Sequence, residues 1–543
     1  MLGRPKVVTS REREWECVFN GIELILCVLA GIAGSVHWMH EFQLDRYLLP
    51  SYRQRLSRGK EHITRDVAVG MASMLLRWYL PVLLAGFVIE EQKRTSMAGW
   101  LTLLAFAAVV AVLLWNDYRT QGKRPFAFTM RVRRLTCVLA GLELVLALLL
   151  RLISIPCYLV YAASPYMVWL AGKIMDPVET RINAAYYEQA RRKIRARKDL
   201  IVIGITGSFG KTQTKFILKE LLCKRYRVLA TPASFNTAMG ISRVVNDNLK
   251  KEHQVFIAEM GAQNVGDIAN LVRLTKPKYG LITAIGQQHI DTFGSFANIL
   301  DTKYELIEGL PEDGVAFFSL DNGYSERLFA KCPREKYAAV VGANEEAYMR
   351  ATDLQFDSDG MHFTLRCSDG GFAKCATQLL GRFNAQNIAL AAAVAHRMGL
   401  SMEEIAAGIA RLRPFEHKLQ LIQGDRIEID DTLNLYAEGA AEALSVLSEF
   451  SGRRVIVTSG IPEPGNQPED VNYVFGTQMK GCADYVVLVG DRQKMRTIQR
   501  GLLSQGFPKG AVQIVSDSNE AEDLVDMWSG KGDVVLREGK PDA

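Results

Sequence analysis

The stretch Gly204-Ile205-Thr206-Gly207-Ser208-Phe209-Gly210-Lys211-Thr212 has the residue types and spacing to hold a phosphate. Glycines let the backbone curl so that successive N–H groups point inward. A following helix N-terminus adds partial positive charge, Lys211 reaches the outer phosphates and the Thr212 hydroxyl can hold magnesium. The strict phosphate-loop spacing wants glycine at 205, where this chain has Ile205. Strand, loop and helix still arrive in the right order: an apolar run over 200–205 precedes the loop and a helical pattern starts near Thr212. That order outweighs the reading as an ordinary Gly-rich turn, and an ATP or GTP site is implied. Glu259 ends the run Phe256-Ile257-Ala258-Glu259-Met260-Gly261, a strand-end position from which a carboxylate can reach magnesium. His289 follows a strand ending near Ile285. A lone histidine is more often structural, but beside a phosphate loop and a strand-end Glu the functional reading is preferred.

The elements that must position these residues are legible as alternation. Strand candidates at 200–205, 227–230, 255–259, 279–285 and 315–319 alternate with helical patterns, which predicts a mainly parallel sheet covered by helices. A second set at 426–430, 454–459, 485–489, 512–515 and 533–536 predicts a smaller Rossmann-like domain. The join falls near Arg413-Pro414-Phe415. There is no internal repeat and no G-x-G-x-x-G fingerprint in the second unit. The predicted organisation is an α-helical transmembrane domain (1–172), a charged amphipathic connector (173–199), a P-loop ATP-binding domain (200–413) and a C-terminal Rossmann-like domain (414–543).

The transmembrane expectation rests on apolar runs at 17–38, 68–89, 98–115 and 135–170, the first three near the ~20 residues a spanning helix needs. The last is too long for one span and Pro156 interrupts it, so it is either one long kinked helix or two spans. Residues 1–200 carry 28 Lys+Arg and 16 Asp+Glu, a net of +12 in a chain of +6, so the remainder is −6. A basic segment interleaved with apolar runs points to the cytoplasmic face of an anionic membrane rather than to nucleic acid. The loops 40–67 and 116–134 are rich in Arg and Lys, which favours five spans over four and keeps the ATP-binding part in the cytoplasm. Glu23, Arg77, Glu143 and Arg151 interrupt the spans; snorkelling or pairing between helices is preferred to a lipid head-group site. No convincing cleavage site follows the basic N-terminus, so it reads as a retained anchor. The cluster Arg191, Arg192, Lys193, Arg195, Arg197 and Lys198 suggests a connector helix lying on the membrane surface. The nine cysteines contain no C-x-x-C pair, which argues for buried reduced thiols and against a zinc site.

The phosphate loop resembles the T-G-[ST]-x-G-K-[ST] signature of the Mur ligases, the ATP-dependent amide-bond-forming enzymes of peptidoglycan synthesis. Similar stretches follow in the family's order: Glu259-Met260-Gly261-Ala262 with Gly266-Asp267-Ile268, Ile285-Gly286 with His289, and Phe293-Gly294-Ser295. Thr302-Lys303-Tyr304-Glu305, Gly381-Arg382-Phe383-Asn384-Ala385-Gln386-Asn387 and Ile429-Asp430-Asp431-Thr432 complete the set. The resemblance covers roughly residues 195–543, is greatest to the D-alanyl-D-alanine-adding branch, and says nothing about the membrane third. It implies ATP bound by Gly207, Ser208, Phe209, Gly210, Lys211 and Thr212, with Asn384 and Asn387 at the adenine and Lys418 and Asp431 reaching the nucleotide from the C-terminal domain. It implies two Mg2+ ions served by Thr212, Glu259, His289 and Lys303. Lys303 matches the lysine that family members carbamylate with CO2, turning an amine of pKa near 10.4 into an anionic ligand. Lys211, His289 and Lys303 would be catalytic, and Ser234, Asn236, Thr237 and Asn434 would touch substrate. The implied reaction joins a muramyl-peptide-like carboxylate to an amino acid or dipeptide through an acyl phosphate, with membrane lipid as a further partner and no protein partner named.

Three departures stand out. Membrane helices occupy the place of the family's uridine-recognising domain. The family's His-Arg pair reads Glu416-His417-Lys418, and lysine keeps the charge but loses the fork of arginine. The D-D-[ST]-Y-N-A-N-P run becomes Asp430-Asp431-Thr432-Leu433-Asn434-Leu435-Tyr436-Ala437. A polyglutamate- or cyanophycin-type ligase fits the motifs less well, an ABC-type transporter lacks its signature helix, and a degenerate ligase serving as membrane scaffold or nucleotide sensor is the remaining alternative.

Overall fold

The computed structural model describes residues 10–539 apart from 59, 84–90, 120–125, 154, 156, 234, 287–289, 321–322, 434–436 and 462–467. They form two compact units, Met1–Ala185 and Tyr186–Ala543.

The first unit is helical: Ser10–Leu44, Leu49–Arg58, Lys60–Leu83, Glu91–Arg119, Met130–Leu152 and the first part of Leu159–Arg195. Among the described residues, three stretches are long and apolar enough to cross a membrane: Val18–Leu44, Met97–Asn116 and Met130–Leu152. Of the four or five spans expected, these account for the runs at 17–38, 98–115 and the first part of 135–170. The run at 68–89 lies in a helix that opens with charged residues, and its end falls outside the described residues. The run at 135–170 breaks after Leu152 and resumes at Leu159 as a helix that carries Pro165, Pro177 and a basic last turn. Small residues let the helices approach closely. A Cβ on Gly34 would meet the Tyr161 ring at 2.6 Å, and one on Gly31 would meet Glu143 Oε2 at 2.8 Å. The polar residues within the apolar runs find partners on neighbouring elements. Ser35 Oγ donates to Glu143 Oε1 (3.4 Å), Tyr158 Oη to Glu23 Oε1 (3.0 Å) and Arg151 Nη1 to the Asn20 carbonyl (2.9 Å). The side chain of Arg77 lies outside the described residues.

The second unit holds two sheets. The first comprises β1 (Ile201–Thr206), β2 (Val228–Ala230), β3 (Val255–Glu259), β4 (Tyr279–Ile282), β5 (Val315–Ser319), β6 (Glu335–Val341), β7 (Met349–Asp357), β8 (Gly360–Cys367) and β9 (Phe372–Thr377). Their order is β2-β3-β1-β4-β5-β6-β7-β8-β9, parallel through β7 and antiparallel for the last two pairings. Side chains alternate between two buried faces, as strands covered on both sides require. Ile203, Ile205, Val255 and Ile257 join one core with helices Lys211–Leu222 and Arg382–Arg397, while Val202, Phe256 and Ala258 join the other. That second core also buries Ala190 and Ile194, so the end of Leu159–Arg195 docks on this unit, with Tyr187 Oη donating to the Asn270 carbonyl (3.0 Å).

The second sheet runs β10 (Gln420–Ile422), β11 (Ile427–Asp431), β15 (Val534–Glu538), β12 (Arg454–Thr458), β13 (Tyr485–Val489) and β14 (Val512–Val515) in spatial order. Only the β10–β11 pairing is antiparallel, so the smaller domain has the parallel, Rossmann-like character read from the sequence. The antiparallel extension β7–β9 escaped that reading, because its strands are half-exposed and alternate in polarity without a helix between them.

Candidate active site

In an open parallel sheet ligands bind beyond the carboxyl ends of strands, where chain connections diverge to opposite sides. Here that point is the end of β1, which lies between β3 and β4. The phosphate loop leaves β1 there and enters helix Lys211–Leu222, with Gly210 as left-handed N-cap at φ 79°. Two of its glycines are sterically required. A Cβ on Gly207 would collide with Thr283 Oγ1, and one on Gly210 would lie 2.5 Å from Asn387 Oδ1. The loop closes on its own surroundings. The N–H groups of Ser208 and Phe209 donate to the Ala284 carbonyl (2.9 and 3.1 Å), and Ser208 Oγ donates to the Gly286 carbonyl (2.9 Å). Lys211 Nζ donates to the carbonyls of Gly207 (2.9 Å) and Ser208 (2.7 Å), and burial pushes its ammonium below the ordinary lysine range. Gly210→Ala should introduce about 1–3 kcal/mol of backbone strain, a loss of roughly ten- to hundredfold in nucleotide affinity. Titration with a fluorescent ATP analogue checks this, and unchanged affinity would show that the loop does not need the left-handed cap.

Glu259, at the end of β3, is buried and fully engaged. Thr212 Oγ1 donates to both its oxygens (3.0 Å each), Asn236 Nδ2 to Oε1 (3.2 Å) and Lys215 Nζ to Oε2 (2.8 Å). Lys215, one helical turn after Lys211, is completely buried and also donates to the Ala233 carbonyl (2.5 Å). Sequence reasoning passed over it. Its spacing puts it on the buried face of the helix that starts at the loop, and a lysine at such a position was the available signal.

Lys303 lies on helix Phe296–Glu308, 4% exposed, with its ammonium over the Phe293 ring at 6.0 Å. Burial foremost, then the charge of Lys211, pushes its pKa down to about 7, against the opposing pull of Asp267 and Glu305. Its neighbour Glu305 accepts the N–H groups of Gly266 (2.9 Å) and Ala269 (2.8 Å), fixing the start of helix Asp267–Thr275. On helix Arg382–Arg397, Asn387 Oδ1 accepts from Thr214 Oγ1 (3.2 Å), which places it against the phosphate-loop helix. Asn384 is buried with Nδ2 on the Leu380 carbonyl (2.7 Å), while its Oδ1 has no partner among the described residues. Thr237 caps helix Ala238–Asn248 by accepting from the Gly240 N–H (3.2 Å). Ser234, His289 and Asn434 lie outside the described residues.

The C-terminal domain contributes a clamp on the interdomain join. His417 and Leu419 both adopt positive φ, 59° and 43°. Asp431 Oδ1 accepts the Leu419 N–H (2.9 Å), Asp430 Oδ2 lies 2.7 Å from His417 Nδ1, and the Leu433 N–H donates to the His417 carbonyl (3.0 Å). Lys418 is exposed. Asp431 is thus buried against the join, in register with Glu538 on β15. Burial, and then the Asp431 carboxylate, push Glu538 up to about 10, so at neutral pH it is folded in its protonated form. Between the ordinary carboxyl range and about pH 10 the native state holds a proton that the unfolded state has released. Stability therefore falls as pH rises across that window. Glu538→Gln keeps a donor for Asp431 without the ionisable proton and should raise stability at pH 8 by about 1–3 kcal/mol. Thermal unfolding at pH 6 to 9 reads this, and an unchanged alkaline slope would count against it.

An α/β domain with a glycine-rich loop and the buried lysines Lys215 and Lys303, followed by a second Rossmann-like domain, is the architecture of a class of ligases, and comparison with known proteins agrees. The family model described as the Mur ligase middle domain matches residues 205–395. The UDP-N-acetylmuramoyl-tripeptide–D-alanyl-D-alanine ligase of Mycobacterium tuberculosis is 30% identical over 347 residues, covering 62% of this chain and 67% of that protein. The chain belongs to the Mur ligase family. The Escherichia coli protein of the same name is 30% identical over 303 residues, 55% of this chain and 66% of its own length; the chain spans about two thirds of the length of these relatives. Among solved structures, MurF from Acinetobacter baumannii has a TM-score of 0.56 at 24% identity, covering 66% of this chain and 78% of that one. MurF from Thermotoga maritima in complex with ADP has a TM-score of 0.55 at 22% identity, covering 66% and 80%. Both show the same fold.

Proposed function

We propose that the chain is a membrane-anchored, ATP-dependent carboxylate–amine ligase that extends a muramyl-peptide-like acceptor with an amino acid or dipeptide. The observation that carries this reading is Lys303: a buried amine beside the phosphate loop, held down to about 7 where an ordinary lysine is charged. A neutral amine can attack the carbon of CO2 and lose one proton to give an anionic carbamate, as the family's lysine does. The hard oxygens of Thr212 and Glu259, 3.0 Å apart, suit magnesium, which would neutralise charge on the phosphate oxygens. The buried, unpartnered Oδ1 of Asn384 suits the amino group of adenine.

In this reading a carboxylate oxygen of the acceptor attacks the γ-phosphorus and the bond to ADP breaks. Lys211 leaves the loop carbonyls for the phosphates and stabilises the charge spreading over them. The amine then attacks the acyl carbon, phosphate departs with the bonding pair, and the amine gives up a proton. Residues 414–543 close over the site and exclude water, which would otherwise hydrolyse the acyl phosphate. The relatives' names point to a UDP-muramoyl-tripeptide and D-alanyl-D-alanine as the first substrates to try. The helices that stand where the family carries its uridine-recognising domain favour an acceptor presented at the membrane, with the ligase domains in the cytoplasm.

The test is phosphate release by the detergent-purified chain. Release that requires both a muramyl-peptide acceptor and an amine supports the ligase. Nucleotide binding without turnover under any pairing of acceptor and amine would sink it in favour of a nucleotide-sensing scaffold.

A further inference from the structure

Away from the phosphate loop, three unlike metal-binding side chains meet at the antiparallel edge of the first sheet. Cys367 ends β8, Asp369 sits in the β8–β9 turn, and His396 occupies the last turn of helix Arg382–Arg397. One ligand atom from each lies within 4.8 Å of the other two. Cys367 Sγ is 3.7 Å from His396 Nδ1, and Asp369 Oδ2 is 3.6 Å from His396 Nε2. Zinc bonds of about 2.0–2.3 Å arranged tetrahedrally put neighbouring ligand atoms roughly 3.3–3.8 Å apart. An imidazole gives one nitrogen to one ion. With Tyr348 on Nδ1 that nitrogen is Nε2, whose 3.6 Å spacing to Asp369 Oδ2 is already that of a coordination shell, while Cys367 Sγ, now nearer Nδ1, closes on the ion from that side of the ring.

The surroundings hold the ligands in place. Asp369 Oδ1 accepts the Gly371 N–H (2.9 Å), which leaves Oδ2 as the oxygen facing the imidazole. The turn is pinned by the Cys367 N–H to the Gly371 carbonyl (2.7 Å) and the Ser368 N–H to the Tyr348 carbonyl (2.9 Å). Tyr348 Oη lies 2.8 Å from His396 Nδ1 and fixes the ring, the outer-shell role that orients metal-binding histidines. Cys367 is buried while Asp369 is exposed, so one side of the cluster opens to solvent and can supply a water as fourth ligand. Phosphate-loop chemistry has no use for these groups: His396 is nine residues beyond Asn387, about 13 Å along the helix.

We propose that Cys367, Asp369 and His396 bind one thiophilic divalent cation of the zinc class, clipping the β8–β9 hairpin to the helix that carries Asn384 and Asn387. Binding displaces the thiol proton to solvent, and the thiolate, imidazole and carboxylate take the metal. The sequence argued against zinc because its signal was sought as a C-x-x-C pair. These ligands lie 2 and 27 residues apart and meet only in the fold.

Cobalt substitution of the purified full-length chain tests the site. Cobalt bound to a thiolate gives a sulfur-to-metal charge-transfer absorption in the near ultraviolet, whereas the oxygen ligands at Thr212 and Glu259 give none. The expected result is one such cobalt per chain, displaced by zinc, with affinity lowered at least roughly tenfold by Asp369→Asn or His396→Gln and the band abolished by Cys367→Ser. Should Cys367→Ser fail to fold, the two other variants decide, with binding of a fluorescent ATP analogue as the control for folding. No charge-transfer band, or a band whose affinity is indifferent to both Asp369→Asn and His396→Gln, overturns the proposal.

Discussion

Lys303→Ala should lower ATP-driven amide formation by roughly 10²–10³-fold, the range seen when one preorganised electrostatic group is removed from a transition state. ATP affinity should stay close to that of the parent chain. The asymmetry follows from position: Lys303 sits on helix Phe296–Glu308, whereas in the proposed reading the phosphates would be held by the loop between β1 and helix Lys211–Leu222. Its low pKa has a second consequence. The neutral fraction of Lys303 grows as pH rises through about 7, so carbamate formation and turnover should rise together across that point. Depleting CO2 and bicarbonate should mimic the substitution, and supplying 13CO2 should add a carbamate carbonyl resonance that is missing in Lys303→Ala. A Lys303→Ala chain that turns over ATP at the parent rate, with both substrates present, would exclude the carbamate reading.

The sequence made the nucleotide side of this site legible because its residues are tied to short-range patterns. A glycine loop needs its positive φ values wherever it occurs, and Glu259 is found by asking which residue ends a buried strand. What eluded the sequence is held by contacts between distant segments. Lys215 reads as one more charged residue on a helix until the fold buries it against Glu259. Asp431 resembles a nucleotide ligand by motif; what the motif does not show is its bond to the Leu419 N–H and its register with Glu538, 107 positions away. The β7–β9 extension was missed for a related reason: hairpin strands with alternating polarity carry a weaker signal than the continuous apolar runs of β1, β3 and β5. In the helical unit apolar composition located the long helices. Their ends depended on the charges at 60–66 and on the break after Leu152.

Lys215→Met should cost about 3–5 kcal/mol of stability, the penalty for stranding one charge of a buried pair. Both partners are essentially inaccessible, 0% and 1% exposed, so water cannot take over the role of the missing ammonium. Thr212 and Asn236 would remain as the donors to Glu259, enough to hold its geometry but not to balance its charge. Removing both charges separates stability from function. Lys215→Met combined with Glu259→Leu should recover most of the lost stability, because replacing a buried ion pair by apolar groups of similar volume is often neutral. It should also leave the chain without ATP turnover, since the strand-end carboxylate is gone. Unfolding curves of the two single variants and the double variant give the coupling directly. If the double variant is as unstable as Lys215→Met alone, the pair is not what stabilises this corner of the sheet. If Lys215→Met turns over ATP normally, Glu259 does not need a buried cation to hold its place at the end of β3.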